Sequence, residues 1–110
     1  MKVSIDVLVV THRGGTLLEK CLKSIRQQTL AAHQIVVVFS SNAPGPISED
    51  LQVLRTEGPT DFAPAANLGL AHLGERPVVL LNDDTELSPT FLESLGVAYT
   101  GPGIYQPRIV

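Results

Sequence analysis

The sequence predicts an α/β fold, in which a Rossmann-like, mostly parallel sheet carries helices on both faces within one domain spanning residues 1–110. Short apolar runs of strand length alternate with segments of helical periodicity, which is typical of this class. The run Val78–Leu81 is continuously aliphatic, as expected for a parallel strand that is buried on both faces. A chain of 110 residues, 44% of them hydrophobic, can bury roughly 60–70% of its unfolded surface, which is enough for a real core.

The first strand and the first helix have the strongest local patterns. Residues Val3–Val10 are mostly apolar and β-branched, which predicts a central strand that ends near Thr11. A helix is predicted from Thr16 to about Gln28, and Thr16 with Glu19 three residues later matches a capping box. The apolar positions that recur with helical spacing are Leu17, Leu18, Cys21, Leu22 and Ile25.

The middle of the chain continues the alternation. Ile35–Phe39 predicts a second buried strand, which completes a right-handed parallel βαβ unit. Ser40–Asp50 is rich in Pro and Gly and predicts a loop with at most one helical turn, followed by a short strand at Leu51–Arg55. An Ala-rich helix is predicted at Pro64–Leu73, and Gly74 is positioned to stop it.

The last third of the chain predicts a strand, a helix and an edge strand. Val78–Asn82 is the strand, and Ser88 with Pro89 predicts an N-cap and first helical position. Ile104–Val110 predicts a final strand, which Pro107 restricts to an edge or to irregular pairing. An open edge of this kind predicts self-association or the docking of a missing C-terminal half.

Composition excludes several classes of function. The net charge is −3, only 17% of residues are charged, and no basic patch with interleaved aromatics occurs, so nucleic acid is not an expected partner. The single cysteine, Cys21, cannot form an internal disulfide and falls among core positions of the first helix. We expect a cytoplasmic protein, with peripheral membrane association left open. The three histidines show no spacing typical of metal ligands.

The segment Asn82-Asp83-Asp84 is the main candidate for a functional site, because its three polar residues directly follow the aliphatic strand. In open α/β sheets, ligands bind at the carboxyl ends of the strands. Two adjacent carboxylates with an amide suggest a divalent metal that holds an anionic, phosphorylated ligand. Asp and Asn are also ordinary turn residues, so a solvated turn with helix-capping acids is the alternative.

Four segments occur in an order and at a spacing that are informative together: Val9–Arg13 with Leu18–Ile25 and Gln28-Thr29, Ile35–Asn42, Phe62–Leu70, and Val79–Leu87. Together they resemble the amino-terminal, nucleotide-sugar-binding half of family-2-type GT-A glycosyltransferases, and the resemblance covers essentially the whole chain. The tail Gly103–Ile109 is also similar to the strand that follows in rhamnosyltransferase-like members.

The resemblance implies a partial nucleotide-diphospho-sugar transferase fold and a donor site. It implies a nucleoside diphosphate sugar as donor, an unidentified hydroxyl acceptor, and Mg or Mn as cofactor. Asn82-Asp83-Asp84 corresponds to the family's DxD motif with Asn in the first position, which makes Asp84 the metal ligand, Asn82 a ribose contact and Asp83 the least engaged of the three. Thr11 would line the base pocket, and Asn67 would hold the nucleotide end of the donor.

Other implied contacts depart from the family pattern. Arg13 is expected either to reach phosphate or to be solvated. Phe39 stands where members usually have a base-reading Asp, and an aromatic ring can stack on a base without accepting its N–H. No catalytic residue is assigned, because the general base of such enzymes would lie beyond this chain. The alternative is a non-catalytic, degenerate domain that binds nucleotide weakly or serves in protein interaction.

Overall fold

The computed structural model describes residues 4–41, 43, 48–98 and 104–105, and within them strands and helices alternate along the chain. None of the described helices combines the length and apolar character needed to cross a membrane. The elements are β1 (Asp6–Thr11), α1 (Gly15–Arg26), β2 (Gln34–Phe39), β3 (Leu51–Arg55), α2 (Phe62–His72), β4 (Val78–Asn82), α3 (Phe91–Ala98) and β5 (Ile104–Tyr105).

The strands form one five-stranded sheet in the order β3-β2-β1-β4-β5, and all neighbouring strands are parallel. β1 is central, with Val7 opposite Ile35 of β2 on one side and Val79 of β4 on the other. The chain builds outward from β1 in one direction through β3 and then in the other through β5, so a topological switch point lies beside β1. The predicted Rossmann-like α/β class is confirmed.

Helices cover both faces of the sheet, and each face has its own hydrophobic core. On one face, buried residues of α1 and α3, such as Leu22 and Leu92, pack against alternate residues of the inner strands. On the other face, Ala65 and Ala66 of α2 pack against the remaining strand residues. α2 lies very close to the sheet, because a Cβ built on Gly69 would lie 2.4 Å from Leu8 Cδ1.

The start of α1 differs from its prediction. The capping box was wrong, because α1 begins at Gly15 and its N-cap is Gly14, which has φ 67° and ψ −135° and no side-chain cap bond. Thr16 and Glu19 therefore lie inside the helix, not at its entry. Gly15 also has a positive φ of 73°, and only glycine adopts two such residues in succession without strain. The capping-box prediction failed because the turn into α1 is formed by the backbone conformations of these two glycines and not by a side-chain cap.

The starts of the later helices also differ. α2 begins at Phe62, which puts Pro64 inside the first turn, where its missing N–H breaks no helical bond. α3 begins at Phe91, so the prediction of Ser88 as N-cap was wrong. Its first turn is instead supported by the loop after α1, since the Leu92 N–H donates to Gln28 Oε1 at 3.0 Å.

The ends of the chain have shorter described strands than predicted. β1 begins at Asp6, two residues after the first described residue. In β5 the described strand comprises Ile104 and Tyr105, while the rest of the predicted strand, including Pro107, lies outside the described residues. The predicted Pro- and Gly-rich loop is described only at its two ends and at Ala43.

A buried carboxylate lies at the amino end of the sheet, opposite the edge predicted to bind ligand. Asp6 is fully buried at the start of β1, and its Oδ1 lies 3.2 Å from His33 Nδ1. Its Oδ2 has no hydrogen-bond partner among the described residues. The neighbouring backbone joins the strands here, because the His33 N–H donates to the Ile5 carbonyl at 2.7 Å.

Candidate functional site

A cavity of about 670 Å³ opens at the carboxyl ends of β1, β2 and β4, beside the switch point of the sheet. Parallel α/β sheets bind ligands at this position, because the connections leaving adjacent strands diverge there. The cavity also takes in the start of α1 and the residues that lead into α2. It is lined by Val10, His12, Arg13, Gly14, Thr16, Leu17, Ser40, Thr60, Asp61, Phe62, Asn82 and Asp83.

Thr11 links the end of β1 to the end of β4. Its hydroxyl donates to Asp83 Oδ2 at 2.7 Å and accepts the Gly14 N–H at 3.0 Å. Thr11 is buried, with 1% of its surface exposed, whereas Asp83 is half-buried at the cavity wall. The hydroxyl therefore supports the turn into α1 and orients an acidic side chain in the cavity.

The loop after β1 is held to the end of β2. The Ser40 N–H donates to the Thr11 carbonyl at 2.9 Å, and Ser40 Oγ lies 3.1 Å from His12 Nδ1. Ser41 Oγ donates to the His12 carbonyl. Arg13, next along the loop, is exposed at the rim of the cavity and is available to an anionic ligand.

Acidic side chains gather after β4. Burial raises the pKa of the Cys21 thiol to about 12, and the nearby carboxylates of Asp83, Asp84 and Glu86 contribute to the same rise. The thiol lies against the strand end, with its Sγ 3.9 Å from the Asn82 carbonyl oxygen. A negative potential at this end of β4 favours a bound cation.

The acidic residues do not by themselves make a complete metal site. Within the part of the chain that the structure describes, no group of three or more His, Cys, Asp or Glu is arranged to hold a metal ion. Asp84 is exposed and does not line the cavity, whereas Asp83 does. Asp83, expected to be the least engaged of the three, is the one fixed by Thr11.

The structure brings some of the sequence-predicted residues together at the cavity. Arg13, Asn82 and Asp83 line it, and Thr11 lies directly behind Asp83. Asn67 is exposed on α2 and is not part of the lining. These positions follow from the parallel sheet, which puts the ends of β1 and β4 at one edge.

Phe39 lies in the core and not at the cavity. Its side chain is fully buried on the face that α1 and α3 cover. The Arg55 guanidinium lies over the ring, with Cζ 4.6 Å from the ring centroid. Phe39 therefore does not offer its ring for stacking on a base in this structure.

Several cavity residues were missed by the sequence analysis. The most informative are Asp61 and Phe62, at the start of α2, and Thr60 just before them. They reach the cavity because β3 is parallel to β2, so the loop after β3 emerges at the same edge as the loops after β1 and β4. A topology with a parallel β3, followed by a helix, is the signal that could have placed them there.

A second cavity, of about 690 Å³, lies at the opposite, amino-terminal edge of β2 and β3. Its charged residues include Arg26 and Asp50, which already form an ion pair with Arg26 Nε 2.7 Å from Asp50 Oδ2. The carboxyl ends of the strands and the polar residues that follow them lie at the opposite edge of the sheet, around the 670 Å³ cavity. We therefore place the candidate site at the first cavity.

Comparison with known proteins gives one match. The family model described as Glycosyl transferase family 2 matches residues 6–98, which include β1 through α3 and every residue that lines the candidate site. No curated protein and no solved structure matches the chain.

Proposed function

The chain belongs to glycosyl transferase family 2, and from this we propose that its cavity at the ends of β1, β2 and β4 binds a nucleoside diphosphate sugar. The observation that carries the proposal is the meeting of Arg13, Asn82 and Asp83 at that cavity, within the matched residues. In this proposal, residues 1–110 are the donor-binding half of a cytoplasmic enzyme that transfers the sugar to a hydroxyl acceptor. A narrower form of this proposal is that the enzyme has a rhamnosyltransferase-like specificity.

The residues of the cavity suit a diphosphate ligand. The Arg13 guanidinium presents a planar set of donors suited to phosphate oxygens. Asn82, half-buried at the end of β4, can both donate to and accept from a ribose hydroxyl.

A divalent ion fits the donor set if the ligand supplies part of the coordination. Mg²⁺ in proteins is commonly held by one or two carboxylates together with substrate phosphates and water, so a cluster of three protein ligands is not required. Exposed Asp84, in the negative potential of its neighbours, would hold Mg or Mn. The ion would stabilise the charge on the departing nucleoside diphosphate.

The chain does not offer a convincing general base for the acceptor hydroxyl. Beyond Asp84 the sequence contains only Glu86 and Glu93 as carboxylates. The Glu93 carboxylate accepts the Thr29 hydroxyl at 2.7 Å, which joins α3 to the loop after α1, away from the cavity lining. The proposed transfer therefore requires an acceptor half that brings its own base.

Calorimetric titration with nucleoside diphosphates, with and without Mg or Mn, tests the donor site. We expect metal-dependent binding that Asp84→Ala weakens strongly. Glu75→Ala is the matched control, because Glu75 is exposed in the loop before β4, at the far end of that strand. Absence of binding by the unaltered chain, with metal present, would contradict the proposal.

A non-catalytic domain of the same family is the second candidate. It is favoured by Phe39, which stands at the family's usual base-reading position and is buried in the core. This candidate predicts no sugar transfer and no donor hydrolysis by the chain. Detecting either activity with the purified chain rules it out.

A further inference from the structure

The acidic segment Asp83–Glu86, directly after β4, is bonded to another element at each end. At its start, Asp83 Oδ2 accepts the hydroxyl of Thr11, the last residue of β1, at 2.7 Å. Directly after it, the Leu87 N–H donates to Ser24 Oγ of α1 at 3.0 Å. The segment is therefore held between β1 on one side and α1 on the other.

A turn inside the acidic segment carries Asp84. The Thr85 N–H donates to the Asn82 carbonyl at 3.1 Å, which closes a β-turn directly after the strand. Asp84 is exposed on this turn, whereas Leu87, which follows the segment, is buried in the core on the α1 side of the sheet. The backbone around Asp84 is therefore placed by bonds and contacts that its neighbours make.

Ser24 uses its hydroxyl both as a donor and as an acceptor. Its Oγ donates to the Cys21 carbonyl at 2.7 Å within α1 and accepts the Leu87 N–H at 3.0 Å. A serine hydroxyl has one donor and two acceptor positions. The bond within the helix therefore uses the only hydrogen and leaves the oxygen as an acceptor for Leu87, so Ser24 fixes the end of the acidic segment to α1.

Gln28 bonds the part of the chain that follows, between the acidic segment and α3. It is a buried polar residue in the loop after α1. Its Nε2 donates to the Ser88 carbonyl at 2.6 Å and to the Ser24 carbonyl at 3.1 Å, and its Oε1 accepts the Leu92 N–H at 3.0 Å. Both N–H donors of the amide are used, and one side chain ties α1 to the start of α3.

These bonds lie behind the cavity and not in its wall. Neither Ser24 nor Gln28 is among the residues that line the cavity. The backbone continues the same junction, because the Thr29 N–H donates to the Pro89 carbonyl at 2.8 Å. A role of Ser24 and Gln28 in ligand binding would therefore be exerted through the position of the acidic segment, without contact to the ligand.

A fixed position matters for a carboxylate that holds a cation. A segment that moves freely must be ordered when the cation binds, and ordering the backbone of one residue costs roughly five- to 30-fold in affinity. A segment that is already in place avoids this cost. Asp84 depends most on such support, because it is exposed and lies between the two bonded ends.

We propose that Ser24 and Gln28 are positioning residues for metal-dependent donor binding, and that they act by holding the acidic segment in place for a divalent cation. The inference rests on the proposed donor site, in which Asp84 holds that cation. Ser24 and Gln28 touch neither the cation nor the nucleotide. Their effect passes through the backbone between β4 and α3.

Calorimetric titration of the full chain with ADP, CDP, GDP, TDP and UDP, each with and without Mn, measures the gain in affinity that Mn produces. We expect Ser24→Ala and Gln28→Met to reduce this gain by roughly tenfold. Ser24→Thr keeps the hydroxyl and should retain the gain. Gln27→Met is the matched control, because Gln27 is the exposed neighbour of Gln28, and it should leave the gain unchanged.

Amide hydrogen exchange of the free chain gives a second measurement that needs neither nucleotide nor metal. The Thr85 N–H closes the turn that carries Asp84, so its exchange rate reports how firmly the acidic segment is held. It should exchange roughly two- to tenfold faster in Ser24→Ala and Gln28→Met, the range of one lost hydrogen bond, and at an unchanged rate in Gln27→Met. Urea unfolding establishes that each variant is folded, and Ser24→Ala decides the test if Gln28→Met does not fold.

The outcomes separate the positioning role from the proposed donor site and from a purely structural role. Failure of the unaltered chain to bind any of the nucleotides with Mn overturns the donor site and the positioning role together. If the unaltered chain binds and both variants keep the full gain from Mn at a lowered urea midpoint, the two residues support the fold only, and the positioning role alone is overturned. An unchanged Thr85 exchange rate in the folded variants overturns it as well.

Discussion

Replacing Thr11 by Val measures how much the hydrogen bonds of the Thr11 hydroxyl contribute to the stability of the chain. Valine keeps the size and branching of the side chain and removes two hydrogen bonds, one donated to Asp83 at 2.7 Å and one accepted from Gly14 at 3.0 Å. Thr11→Ser is the matched control, because it keeps the hydroxyl and removes only the methyl group.

The two lost bonds differ in cost. The Asp83 carboxylate is half-buried, so water can replace the lost donor and the cost lies near the low end of about 1–3 kcal/mol. The Gly14 N–H is bonded in a buried setting, where an unpaired donor costs its desolvation, again about 1–3 kcal/mol. We expect a total near 2–4 kcal/mol for Val, against about 1 kcal/mol for the methyl group lost in Ser.

Equilibrium unfolding in urea measures this difference as a shift in midpoint at constant slope. Thr11→Val should be less stable than Thr11→Ser by at least about 1 kcal/mol. A cycle with Asp83→Ala, which removes the acceptor, should give a coupling free energy of roughly 0.5–3 kcal/mol between the two positions. If Ser destabilises the chain as much as Val, the methyl contact dominates and the hydroxyl network is not what fixes this loop.

Three other predictions concern the core and the far end of the sheet. Gly69→Ala should lower the free energy of unfolding, because the new Cβ would lie 2.4 Å from a core side chain. Overpacking of this kind costs about 1–3 kcal/mol, which exceeds the gain in helix propensity of about 1 kcal/mol. Gly74→Ala is the control, since its new Cβ has nothing within 4 Å, and it should not lower the urea midpoint. His33→Ala should destabilise the chain by about 1–3 kcal/mol, since it removes the contact of the buried Asp6 carboxylate, and an unchanged midpoint would contradict this. Burial is the chief cause that raises the pKa of the Cys21 thiol from 9.0 to about 12. The folded chain should therefore lose stability as pH rises from 9 to about 12, because the thiol of the unfolded chain ionises first. Urea midpoints of the unaltered chain and of Cys21→Ala at both ends of that window isolate this contribution, and an equal pH dependence of the two would contradict it.

The fold could be predicted from sequence because its signals are local and agree with one another. The run Val78–Asn82 reproduces β4, and Leu51–Arg55 reproduces β3. Parallel pairing of β1 with β2 then follows from α1, the helix between them. Helix starts were less predictable, since the entry to α1 is set by glycine conformations and the first turn of α3 is supported by Gln28 from the loop after α1.

The candidate site could be predicted only in part. Asn82 and Asp83 follow a strand directly, so their place at the sheet edge is a local property. The position of Phe39 could not be deduced, because β2 is apolar at every residue from 35 to 39 and is buried on both faces, which removes the period-two pattern that tells one face from the other. Asp61 and Phe62 reach the cavity through the loop after β3, and its position depends on the parallel pairing of β3 with β2.

At the Thr11 wall of the cavity, one substitution changes both stability and the proposed ligand binding. At the α2 wall, the two can be changed separately. Thr11 holds Asp83 and Gly14 at once, so a loss of binding after a change there does not distinguish a damaged contact from a displaced loop. Asp61 is exposed and makes no cap bond, so its replacement removes no described support from α2. A change in nucleoside diphosphate affinity in Asp61→Ala, at an unchanged urea midpoint, would therefore report a contact with the ligand, and the α2 side of the cavity is where the proposed function can be tested without disturbing the fold.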